Sequence, residues 1–408
     1  MAKITILKNG IKLLTEHVIG AQSTYVGVWV KAGSANEKDC EWGISHFVEH
    51  MLFKGTQRRT ARQISEEVDY VGGQANAFTT RDCTCYYSRT LPENMELSFD
   101  ILSDIYHNPK MARDDIELER SVIKEEIMMC EDCSEDLVQD RLLAAMYPNS
   151  PIGREIAGSI ESVDAMTGEQ LGDYMARYYT PDNTIVSVSG KFNEEDAIAL
   201  CEKYFGESVA TFAGDRIHTP TFVPVDLKWE KDIEQAHLSL AFPSISLKDS
   251  KMSFALLALS NIFGGSMSSR LFNSIREERG LCYSVYSYST QWETAGHFGI
   301  YTGLNESCLC DAESLIHEEI ALLLKDGITD RELERGKAQL KAANLMDAEN
   351  PYSVMSDLAK DLLIYNELRP VDTVLKLIDS ITKKDVNDAA HLVFEQKHAR
   401  GILLPSDR

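Results

Sequence analysis

The sequence predicts an α+β fold built from two duplicated domains, each a mixed, mainly antiparallel sheet packed with helices. Three observations lead there. At 408 residues the chain exceeds what one hydrophobic core usually organises, so two domains of roughly 200 residues are expected. The first half mixes strand hairpins with amphipathic helices, and the second half repeats the order of the first, which is the mark of a duplicated unit. Hydrophobic residues make up 44% and charged residues 26%, an ordinary globular balance.

The elements follow in chain order. Residues 3–17 alternate apolar and polar side chains around Asn9-Gly10, a two-residue hairpin signal, and 24–32 (TYVGVWVKA) reads as a strand. Residues 43–56, GISHFVEHMLFKGT, carry a helix with His46, Glu49 and His50 among apolar neighbours, and 60–71 (TARQISEEVDYV) carries a second, stopped by Gly72-Gly73. QANAFTTRDCTCYYSRTL reads as a strand or hairpin, 92–107 and 113–131 as helices, and 184–190 as a strand. Residues 213–228, with two prolines and no helical period, are placed as a linker between an N-terminal domain (1–212) and a C-terminal domain (229–408). In the second half QAHLSLAFPS matches the strand 24–32, SKMSFALLALSNIF takes the place of the His-bearing helix, and GLCYSVYSYST takes the place of 74–88. Only the first copy keeps the His/Glu set.

Composition excludes several partners. A net charge of −23 argues against nucleic acid, whose phosphates need clustered Lys and Arg. It fits solubility, and a negative inner wall would also attract basic peptides. No apolar run approaches the roughly 18 residues of a membrane span, so no membrane association is expected. The first seventeen residues lack a signal peptide's long apolar stretch, and nine cysteines, an odd count, then read as reduced thiols in a cytoplasmic protein. Cys83/Cys85 and Cys130/Cys133 could together form a four-cysteine zinc site, but buried thiols are the simpler expectation. His237 and His297 sit in apolar strands as packing residues, and the Gly/Ser-rich stretch 263–272 lacks the Lys of a phosphate loop.

On a helix, His46 and His50 are four residues apart and project from one face, so both imidazoles can reach one metal ion. Glu49 lies near that face, placed to take a proton from water. His-x-x-Glu-His is the inverzincin order of a zinc peptidase. A catalytic zinc usually takes three protein ligands, and the helical stretch IELERSVIKEEIMMCED offers Glu117, Glu119, Glu125 and Glu126. Glu119 and Glu126 share a face, with Glu125 about 100° away from Glu126. Periodicity alone does not choose among them.

The runs GISHFVEHMLFKGT, VGGQANAFTTRDCTCYYS, ERSVIKEEI, PIGREIAGSIESV and YMARYYTPDNTIVSVSG resemble the pitrilysin-type zinc peptidases, in their short bacterial branch near the β subunit of the mitochondrial processing peptidase. The resemblance implies Zn2+ held by His46, His50 and Glu126, with Glu49 as general base and Glu119 orienting the ligands or water. It implies that peptide binds as an added strand along Gln74–Phe78, with Asn76, Ala77 and Phe78 in contact. In IREERGLCYSVYS it implies that Arg276 and Tyr283 serve substrate and oxyanion, with Arg279 as the competing arginine. The activity implied is endopeptidase cleavage of extended oligopeptides or presequence-like segments in a closed chamber. Since that chamber uses four domains and this chain supplies two, a homodimer is implied. The family also contains non-catalytic partner subunits, which typically lose zinc ligands that are all present here.

Overall fold

The computed structural model describes residues 2–207, 209–214 and 219–406. Two compact units emerge. One comprises Met1–Met128, Arg154–Ile217 and Leu345–Val371, the other Met129–Gly153, His218–Asn344 and Asp372–Arg408.

The first unit contains a six-stranded sheet of β1 (Lys3–Ile6), β2 (Lys12–His17), β3 (Thr24–Val30), β4 (Gln74–Thr79), β5 (Thr84–Thr90) and β6 (Thr184–Gly190), in the order β1-β2-β6-β3-β5-β4. Only β2 and β6 run parallel. The second unit contains β7 (Asp226–Lys231), β8 (Ala236–Pro243), β9 (Cys282–Gln291), β10 (Gly296–Leu304) and β11 (Ala399–Pro405), in the order β7-β11-β8-β10-β9 with only β7 and β11 parallel. Remove β1 and the two orders are the same, strand for strand. The duplication and the α+β class read from the sequence are both present, with β8, the helix Ser250–Phe263 and β9 in the places of β3, the His-bearing helix and β4.

The division into units differs from two contiguous segments meeting at 213–228. Within that stretch, 215–218 lies outside the described residues, 219–225 carries no regular element, and β7 already begins at Asp226. More consequential are two helices that serve the sheet of the other half of the chain. Ser134–Met146 packs Leu137 and Val138 against Tyr301 and Leu403 of the second sheet. Pro351–Tyr365 lays Met355, Leu358, Ala359 and Leu362 against Leu14, Trp29 and Ile185 of the first.

The reason is a sheet apolar on both faces. Val26, Val28 and Val30 of β3 point into the main core with Phe47, Val48 and Met51, whereas Trp29, between them, points the other way. Burying both faces takes a helix layer on each side, and it makes β6 and β10 buried at every position. The helix Ala61–Tyr70 starts where the sequence marks it. Thr60 Oγ1 accepts from Gln63 N, and Gln63 Oε1 accepts from Thr60 N, at 3.2 and 2.9 Å.

Candidate metal centre

The helix Ile44–Leu52 has nine residues, about two and a half turns. Ile44, Phe47, Val48, Met51 and Leu52 form its buried stripe and fix its rotation, which leaves His46, Glu49 and His50 on a common side. The chain enters through Gly43, at φ +89°, where an added Cβ would come within 2.8 Å of Ala157 O and Gly158 Cα. Gly43→Ala is therefore expected to destabilise the protein by about 1–2 kcal/mol from backbone strain alone, with the clash in addition. A drop in the urea midpoint at unchanged m-value would show it; an unchanged midpoint would refute it.

A second helix, Arg113–Asp132, supplies the acids. Glu126 Oε2 lies 3.7 Å from His46 Nε2 and 3.5 Å from His50 Nε2, and the two Nε2 atoms are 3.2 Å apart. Zinc takes N and O donors at about 2.0–2.2 Å, so neighbouring donors of a tetrahedron stand about 3.3–3.6 Å apart. The three atoms thus form a triangle of the size of one tetrahedral face. Among the described residues, these three are the only group of His, Cys, Asp or Glu side chains close enough together to hold one ion.

The surroundings orient the candidate ligand atoms and act in opposite directions on the charge of the two imidazoles. Nδ1 of His50 is 2.8 Å from Glu119 Oε1, so that nitrogen donates to the carboxylate and Nε2 is turned to the cluster. Burial works against charge on His50, but the Glu119 and Glu126 carboxylates outweigh it and raise the imidazole above its ordinary range. His46, 8% exposed, is pushed down, first by burial and then by His50, which keeps it neutral. Glu119, 2% exposed, has its other oxygen 2.5 Å from Lys54 Nζ. Burial would raise its carboxyl, yet His50 and Lys54 hold it below the usual range. Lys54 follows His50 by four residues, a spacing that could have flagged it from sequence.

Glu125, one residue from Glu126, is exposed and outside the cluster. Glu49 is raised above the carboxylate range, mainly by burial, against the pull of Thr79, whose hydroxyl donates to Oε2 at 2.5 Å. Thr79 ends β4, the free edge of the first sheet, and nothing in the sequence singled it out. Ala77 N–H donates to its neighbour Asn76 Oδ1 at 2.9 Å rather than to β5, so this amide lies on the open side. The Phe78 ring packs on Trp29, centroids 5.6 Å apart, and its backbone groups, alternating with those of Ala77, face β5 rather than the open edge.

In the second unit Arg276 and Tyr283 come together. The guanidinium lies 5.1 Å from the centre of the Tyr283 ring and 4.6 Å from that of Phe272, and Tyr283 is 78% exposed. Arg279 is engaged elsewhere, donating to Ser274 O at 2.8 Å. No disulfide joins the nine cysteines. Cys83 and Cys85 are buried as expected, and burial pushes the Cys83 thiol up to about 11. Cys130 and Cys133 are exposed, contrary to the expectation of buried thiols: Cys130 is in the last turn of the helix Arg113–Asp132, and Cys133 lies between it and Ser134–Met146. His297 is buried, and His237 Nδ1 meets Tyr301 OH at 2.8 Å, both within the second sheet.

Residues 12–159 match the family described as insulinase (peptidase family M16), and residues 165–340 match the peptidase M16 inactive domain. A Bacillus subtilis chain named "uncharacterized zinc protease YmxG" is 37% identical over 406 residues, covering 100% of this chain and 99% of that one. The chain belongs to peptidase family M16. Another M16 relative, the "uncharacterized zinc protease ML0855" of Mycobacterium leprae, is 37% identical with 98% and 91% covered. The crystal structure of a protease from Helicobacter pylori shares the fold at TM-score 0.90 and 24% identity, covering 99% of each chain. A Pseudomonas fluorescens structure described as a peptidase M16 inactive domain shares it at 0.92 and 19%, covering 100% of this chain and 98% of that one. The first M16 match encloses His46, Glu49, His50, Glu119 and Glu126; the inactive-domain match encloses Arg276 and Tyr283.

Proposed function

We propose that this M16 chain is a zinc-dependent endopeptidase that hydrolyses extended oligopeptides or presequence-like segments. The observation that carries the reading is the triangle of His46, His50 and Glu126 with Glu49 on the same short helix. His46, His50 and Glu126 would hold the zinc ion, which when bound would supply a Lewis acid for the scissile carbonyl and lower the pKa of water. Glu49 takes a proton from the attacking water and then delivers it to the leaving amine. Glu119 keeps His50 in the tautomer that ligation needs, and Lys54 keeps Glu119 in place.

Substrate pairs with the free edge of β4, where the backbone around Asn76, Ala77 and Phe78 hydrogen-bonds an extended chain of almost any sequence. Arg276 and Tyr283 act as donors to substrate and to the developing oxyanion. A homodimer supplies the four domains of a closed chamber, so these two can act from a partner chain. We place the protein in the cytoplasm, in keeping with nine unbridged cysteines. No helix among the described residues is long and apolar enough to cross a membrane.

The test is digestion of unstructured peptides with and without a chelator. Cleavage should stop with the chelator and return on adding zinc. Chelator-resistant cleavage would overturn the reading. Sedimentation checks the assembly: full activity from a species of one chain's mass at micromolar concentration would reject the dimeric chamber.

A further inference from the structure

The helix that carries His46, Glu49 and His50 has no cap of its own. Its N-cap residue, Gly43, has no side chain to accept from the first-turn amides, and no local Ser, Thr, Asp or Asn stands in. The acceptor comes instead from Glu37, six residues upstream of Gly43 and 3% exposed. Both of its oxygens are used. Gly43 N–H donates to Oε2 and Ser45 N–H donates to Oε1, each at 2.9 Å. The Ser45 hydroxyl is tied in turn to Tyr174 OH at 2.8 Å, itself fully buried.

We infer that Glu37 is a positioning residue for the metal centre, a remote bidentate cap that fixes the height and rotation of the His-bearing helix. Three features of the geometry support this. Ser45 directly precedes His46, so the amide that Glu37 grips is one peptide unit from a ligand. Two acceptor oxygens on amides two residues apart set the direction of the first turn, which a single hydrogen bond would leave free to swing. Glu37 is also buried, so water does not compete for the two amides it accepts from. With only about two and a half turns, a tilt at the first is felt at Glu49 and His50. Apolar packing alone restrains the helix less sharply, because contacts with Phe47 and Met51 tolerate small slides that hydrogen bonds do not.

The inference rests on the zinc reading, and the experiment separates the two. Zinc affinity is measured by chelator competition on the full chain, with the visible spectrum of the cobalt(II)-loaded protein as a report on ligand geometry. Wild type, Glu37→Gln and Glu37→Ala are compared. Gln keeps one acceptor but turns an NH2 toward an N–H, so affinity should fall about 10–100-fold, the range seen when an outer partner of a ligand is lost. Ala should fall further, and the cobalt spectrum should change in both. Should Ala not fold, Gln against wild type still decides. Folded Gln variant with wild-type zinc affinity and an unaltered cobalt spectrum overturns the positioning role while leaving the peptidase reading intact. Wild-type protein that binds no zinc overturns both.

Discussion

Exchanging Glu49 for Gln is expected to lower peptide cleavage by about 10²–10⁴-fold while zinc remains bound at one ion per chain. The two side chains have the same shape, and the Gln carbonyl can still accept from the Thr79 hydroxyl that holds Oε2 at 2.5 Å. What disappears is the basic lone pair. Glu49 does not belong to the ligand triangle, so its loss leaves His46, His50 and Glu126 in place. Cleavage rate and metal content, measured on the same preparation, check both halves of the expectation. Wild-type turnover by the variant would remove Glu49 from the mechanism. Zinc loss with turnover loss would instead make it a ligand.

Much of this site was legible because helical spacing is strict. The four-residue spacing of His46 and His50 fixes a shared face whatever the tertiary structure, and the buried stripe of Phe47, Val48, Met51 and Leu52 shows which side faces inward. Glu126 was less legible. Residues 125 and 126 are both glutamates on one helix, and only the rotation of that helix against its neighbours, with Ile116, Ile123 and Ile127 buried, decides which reaches the histidines. Thr79 and Glu37 were illegible for a different reason. They act from outside the helix they serve, through contacts 30 and 8 residues apart in sequence that no helical period marks.

The fold divides the same way. That the two sheets share one strand order, though not which order, could be anticipated from the repeated sequence of elements, because each copy solves the same packing problem. The exchange of Ser134–Met146 and Pro351–Tyr365 between the sheets could not, since an amphipathic pattern tells that a helix buries one face and not which sheet receives it. For the same reason a domain boundary drawn at the proline-bearing stretch before β7 assigns both helices by chain position rather than by contact.

The second large effect concerns the third ligand. Glu126→Ala should weaken zinc binding by at least about 100-fold, beyond what the loss of an outer partner causes, and abolish cleavage with it. Its carboxylate is the anionic member of the triangle, and without it two imidazoles 3.2 Å apart remain. Neighbouring glutamates calibrate the result. Glu119→Gln should cost about 10–100-fold in affinity, because the amide can no longer draw the Nδ1 proton of His50 as a charged acceptor. Glu125→Gln should change neither affinity nor rate, since that side chain is exposed and outside the cluster. The order Glu126, Glu119, Glu125 in zinc affinity, read by chelator competition, therefore tests the rotation of the helix directly. If Glu125→Gln loses zinc and Glu126→Ala keeps it, the helix presents the other glutamate, and Glu119, seven residues and about two turns from Glu126, could not face the histidines as described.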